Sequence, residues 1–96
     1  MMDEWIRAAV DRLGSDRTSG ASEIVPLAID ILRGADRLDA AGLADVARSV
    51  GRAQPSMAAV WHAALAAVRE PHSPGALDQF ERRWRLAGDA MVRAAV

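Results

Sequence analysis

Apolar residues in this chain recur at spacings of three and four, which divides it into five stretches separated by short polar or Gly/Pro-containing breaks. In residues 51–65, GRAQPSMAAVWHAAL, one such break gives way to a run carrying Met57, Val60, Trp61, Ala64, Leu65 and, beyond it, Val68. That is the i, i+3, i+4, i+7, i+8, i+11 series of a helix with one buried face, and it predicts a fourth helix ending before Pro71. A first helix is predicted over residues 3–13, capped by Asp3, with Trp5, Ile6, Ala9, Val10 and Leu13 on one face and Gly14 as its stop. Residues 15–22, SDRTSGAS, are small and polar and read as a loop. The second helix is expected to begin near Gly20–Glu23 and to bury Ile24, Leu27, Ala28, Ile31 and Ala35. Pro26 falls in its first or second turn, where it marks a late start or a bend, and Gly34 weakens the far end. A third helix over residues 39–53, capped by Asp39, buries Leu43, Val46, Ala47 and Val50 and is ended by Gly51 and Pro55.

The fifth helix has the strongest start signal, Ser73 as cap with Pro74 in the first helical position. Its apolar residues Leu77, Phe80, Trp84, Ala87, Met91 and Ala94 alternate strictly by three and four. The opposite face offers the acid-first pairs Asp78–Arg82, Glu81–Arg85 and Asp89–Arg93. A seam of this kind has to be covered by something, and Phe80, Trp84 and Met91 are its candidate interface residues.

Composition makes the helical reading firmer. The chain has 96 residues, enough for a single helical domain spanning 1–96. It is 51% hydrophobic but only 4% aromatic, so the apolar content is largely alanine and small aliphatics. Alanine loses no side-chain entropy in a helix, and the β-branched runs of strands are missing. An all-α, compact bundle of about five helices is the expectation.

Charge and chemistry mostly exclude. The net charge of −1 gives no global attraction to nucleic acid or an anionic membrane, and no apolar run approaches the ~20 residues of a span. Arg82, Arg83 and Arg85 each have an acid nearby and read as a solvated face rather than a nucleic-acid surface. There is no Cys, and the acidic start MMDEW lacks a signal peptide's apolar core, so a cytoplasmic protein is expected. His62 and His72 are too far apart and too poorly accompanied for a metal site. No cofactor motif is present, and no acid, base and nucleophile can be assembled into a catalytic set.

Two stretches suggest anion contact. Thr18-Ser19-Gly20-Ala21 and Arg52-Ala53-Gln54-Pro55-Ser56 each lead into a helix start, where free N–H groups and the helix dipole can hold a phosphate. Ordinary capping accounts for the same residue types.

At these two places the chain resembles the N-terminal helical domain of the translation initiation factor 2B-related family. That family includes the alpha, beta and delta subunits of the exchange factor, and methylthioribose-1-phosphate and ribose-1,5-bisphosphate isomerases. Thr18-Ser19-Gly20-Ala21-Ser22-Glu23 is similar to the segment entering the family's second helix. Gln54-Pro55-Ser56-Met57-Ala58 is similar to its Arg-Pro-Ser-Met-Ala, with a Trp following as at Trp61. The resemblance implies that both segments lie near a sugar phosphate, but Ser19 and Gln54 stand where the isomerases carry arginines. Two charge-assisted, bidentate contacts are thereby missing. Arg17 and Arg52 are near enough in sequence to substitute.

The family's catalytic residues belong to a following α/β domain outside these 96 residues. The implied function is a non-catalytic interaction or regulatory domain, paired with itself as a homodimer or with an α/β domain. The alternative is a phosphosugar- or nucleotide-binding module using Thr18, Ser19, Gly20, Ala21, Arg52, Gln54 and Ser56.

Overall fold

The second helix packs against three of the other four. The computed structural model describes residues 4–70 and 75–95, with side chains up to residue 88. Five α-helices follow one another: α1 Glu4–Ser15, α2 Ala21–Ala35, α3 Ala40–Ala53, α4 Ala58–Arg69 and α5 Gly75–Ala95, with no strand among the described residues. The all-α five-helix bundle expected from the apolar periodicity is what the chain forms. Helices α1, α3 and α4 each contact α2, while α5 lies against α4.

Helix α2 buries more than one stripe. Ile24, Ala28, Ile31 and Ala35 are inside as the spacing predicts, and Val25, Ile29 and Leu32 are buried as well, with Leu27 only half-buried. Contact with three helices widens the buried arc and leaves Glu23, Asp30 and Arg33 as a narrow exposed polar edge, so a single apolar stripe underestimates it. The Gly20 carbonyl accepts from the Glu23 and Ile24 N–H groups, both at 3.0 Å, which fixes the helix start at Ala21. Pro26 therefore lies in the second turn of an established helix rather than marking a late start. At α3 the expectation holds in detail: Asp39 Oδ1 accepts from the Gly42 N–H at 2.7 Å, and Leu43, Val46, Ala47 and Val50 are buried.

Three glycines predicted to stop or weaken helices instead let helices approach. Gly14 is helical and sits across from Ala53, whose Cβ would lie 3.6 Å from a Cβ added at 14. Gly51 is buried inside α3 and seats the Trp61 ring of α4; Gly34 seats the Trp5 ring of α1. A methyl group at 34 or 51 would overlap the indole carbons.

The face predicted for α4 is corrected by its own alanines. Val60 and Ala64 are buried as expected, but Ala63, Ala66 and Ala67 join them, while Trp61 and Val68 are half-buried and Leu65 is 56% exposed. In AAVWHAALAAVR nearly every position is apolar, so periodicity cannot choose a face. Helix-to-helix distance chooses instead, and the small side chains go inward where neighbours approach closely. Trp5 is also displaced from its predicted core position. At 47% exposed it lies over Gly34, with the Arg37 guanidinium 5.9 Å from its ring centre.

On α5, Leu77 is buried, Phe80 and Trp84 are half-buried against the core, and Ala87 is exposed. The predicted Glu81–Arg85 pair forms at 3.1 Å. Asp78 does not pair with Arg82: Arg33 reaches from α2 to Asp78 at 2.7 Å and to Glu81 at 2.6 Å. This bridge ties the start of α5 to α2. The Ser73–Pro74 start signal, His72, the Asp89–Arg93 pair and the Met91 and Ala94 side chains lie outside the described residues.

Candidate functional site

The two segments singled out for anion contact meet at one end of the bundle, joined by Asp16 and Gln54. Gln54 lies in the turn between α3 and α4, closed by the Met57 N–H donating to the Gln54 carbonyl at 3.1 Å. Its Nε2 turns inward and donates to two carbonyls, Leu13 at 2.7 Å and Asp16 at 2.8 Å. The last turn of α1 has carbonyls without helical partners, and Gln54 satisfies one of them from a distant part of the chain.

Asp16 also organises the loop beyond. Its Oδ1 accepts from the N–H groups of Thr18 at 3.1 Å and Ser19 at 2.9 Å. Hydrogen bonds from the Ser19 side chain and then from these N–H groups hold the Asp16 carboxyl below its ordinary value, with Arg12 adding a smaller attraction. Thr18, Gly20 and Ala21 are exposed and Ser19 is half-buried. A carboxylate thus already sits on two of the loop's N–H groups, and a phosphate entering beside them would face its charge.

The remaining predicted residues lie at the surface. Arg52 and Ser56 are exposed. Ser56 does not cap α4: the cap position is Met57, with no side-chain hydrogen bond, just as Gly20 caps α2 without one. Asp16 was missed from the sequence, although Asp followed by Thr and Ser two and three residues on is the signature of an Asx turn.

A second feature lies on the outer side of α4. Leu65 stands between two open grooves. One, of about 210 Å³ between α3 and α4, is walled by Ala44, Ala47, Trp61, Ala64 and Val68 with Arg48 at its rim. The other, of about 240 Å³ between α4 and α5, has Ala66, Ala76 and Phe80 as its apolar part and His62, Arg69, Gln79 and Arg83 as its polar part. Phe80, predicted as an interface residue on α5 alone, thus contributes to a surface shared with α4. Trp84 packs against the core beside it. Among the described residues no cluster of His, Asp and Glu has the makings of a metal site, and no helix is long and apolar enough to cross a membrane.

Fold and surface together define a small all-α bundle whose described residues expose three large apolar side chains, Trp5 on α1, Leu65 on α4 and Leu86 on α5, with Leu65 the one set between grooves. No family model, no curated protein and no solved structure matches this chain.

Proposed function

We propose that this chain is a non-catalytic helical interaction domain, acting in the cytoplasm, whose contact surface is the outer face of α4. The observation that carries this reading is Leu65: a large aliphatic side chain, 56% exposed, flanked by a largely apolar groove towards α3 and a groove of mixed polar and apolar lining towards α5. Scattered exposed hydrophobics need no explanation, but an exposed leucine with a hollow on either side is what a partner's side chains can engage. The similarity of residues 18–23 and 54–58 to the helical domain of initiation factor 2B-related proteins supports the same reading, since that domain is non-catalytic by itself.

The phosphosugar- or nucleotide-binding alternative would use the helix starts near Ser19 and Gln54. It is the weaker reading, because the Gln54 amide is turned onto carbonyls and Asp16 occupies two of the loop's N–H groups.

Incorporation of a photoreactive side chain at position 65, with position 11 on the exposed face of α1 as control, tests the interaction reading in cells that make the protein. A discrete adduct from position 65 and none from position 11 is expected. Equal labelling from both, or none from either, would contradict it.

A further inference from the structure

We infer that the occupant of the α4 face is an acidic amphipathic helix of a partner protein. The inference rests on that face being a contact surface and adds the chemistry of what binds there. The charged residues on the walls of the two grooves are Arg48, Arg69 and Arg83, and neither groove has a carboxylate in its lining. The chain as a whole carries 13 acids against 12 arginines, so this one-sided lining is not a reflection of composition.

Two arginines elsewhere, Arg33 and Arg85, are paired within the fold. Arg33 holds Asp78 and Glu81, and Arg85 shares Glu81. Among the described residues Arg69 and Arg83 form no ion pair, and Arg48 has only an exposed contact with Asp45 at 3.4 Å. Cations on the two sides of an apolar ridge call for carboxylates on the two sides of an apolar stripe, which is the layout of an amphipathic helix lying in a groove. Its apolar anchors would enter the hollows on either side of Leu65, with Asp or Glu facing Arg48 on one edge and Arg69 and Arg83 on the other. A second copy of this chain docking through the same face would bring the three arginines of each copy together, a like-charge arrangement that disfavours self-pairing there.

The test titrates the full chain, labelled with ¹⁵N, with a stapled helical peptide carrying a leucine stripe flanked by glutamates, and with the same peptide bearing lysines instead. The acidic peptide is expected to perturb the Trp61, Leu65 and Phe80 resonances and to weaken steeply with added salt. The double substitution Arg69→Glu/Arg83→Glu should reduce its affinity about tenfold or more. Charge reversal on the peptide gives the same information without altering the protein, so a variant that failed to fold would not obscure the result.

If the lysine peptide bound the same residues equally well, the acidic partner would be excluded while the contact surface survived. The same would follow if the α4 resonances changed on dilution and Leu65→Glu abolished that change, because the occupant would then be a second copy. If neither peptide moved any α4 resonance, both the inference and the contact surface beneath it would fall.

Discussion

Gln54 donates its side-chain amide to the carbonyl of Asp16 at 2.8 Å, linking the turn after α3 to the loop after α1 across 38 residues of sequence. With its second bond to the Leu13 carbonyl at 2.7 Å, this one side chain ties the α3–α4 turn to the last turn of α1 and the loop that follows it. The bonds are half-buried, so losing them leaves carbonyls short of water. Gln54→Ala is expected to destabilise by about 1–3 kcal/mol, and Gln54→Glu by more, because a carboxylate would face the two carbonyl oxygens. Urea denaturation of the two variants beside the parent checks both the size and the order.

The glycine seats predict a graded series. Gly51→Ala forces a methyl group into the half-buried Trp61 ring and should cost about 1–3 kcal/mol. Gly34→Ala meets Trp5, but that ring is half in solvent and can swing away; the helix-propensity gain of roughly 1 kcal/mol should offset much of the loss. Gly14→Ala finds only ordinary contact with Ala53 and should stabilise by roughly 0.5–1 kcal/mol. Thermal melts of the three variants test the order, with Gly51→Ala lowest and Gly14→Ala highest.

Acid should weaken the fold through two carboxylates. Asp16 is held below its ordinary 3.8 mainly by Ser19, and Glu81 below its ordinary 4.5 mainly by Arg33. A carboxylate with a lower pKa folded than unfolded stabilises the fold above the unfolded value, and that contribution is lost as pH falls through the folded value. Stability is therefore expected to decline as pH drops below the ordinary values of these two groups. Asp16→Asn and Glu81→Gln should each flatten the decline, as measured by urea midpoints at several pH values.

The Arg33 bridge should matter locally more than globally. Its partners are partly exposed, so Arg33→Ala should cost only about 0.5–1 kcal/mol overall. Hydrogen exchange in the first turns of α5 should nonetheless accelerate, because the bridge is what ties them to α2. High salt should reproduce part of the effect in the parent.

The two readings of function also separate by ligand response. A phosphosugar present at 100 times its Kd would stabilise the fold by about 2.7 kcal/mol. With Asp16 on the loop donors and Gln54 turned inward, thermal shift against phosphosugars and nucleotides is expected to stay flat. A shift abolished by Ser19→Ala or Gln54→Ala would establish the helix-start site instead.

The bundle was legible in the sequence because helix periodicity, the Asp39 cap and the acid-first Glu81–Arg85 pair depend on residues close together in the chain. The α4 face was not. In a helix whose positions are almost all apolar, the inward side is set by how closely α2 and α3 approach, and Leu65 is displaced outward by alanines that pack tighter. Gly14 and Gly51 misled for a related reason: a stop signal and a close-packing notch use the same residue, and only the neighbour across the gap distinguishes them. The Gln54 bonds span about 40 residues, beyond any local pattern. The Asp16 turn, by contrast, was readable from D-x-T-S.

Whether the proposed contact surface is the outer face of α4 is tested most directly by titrating ¹⁵N-labelled protein with small organic probes such as isopropanol. Contact surfaces collect such molecules in their apolar hollows. The largest shifts are predicted at Trp61, Leu65, Val68 and Phe80. Shifts concentrated at residues 18–21 or around Trp5, with α4 unmoved, would contradict the proposal.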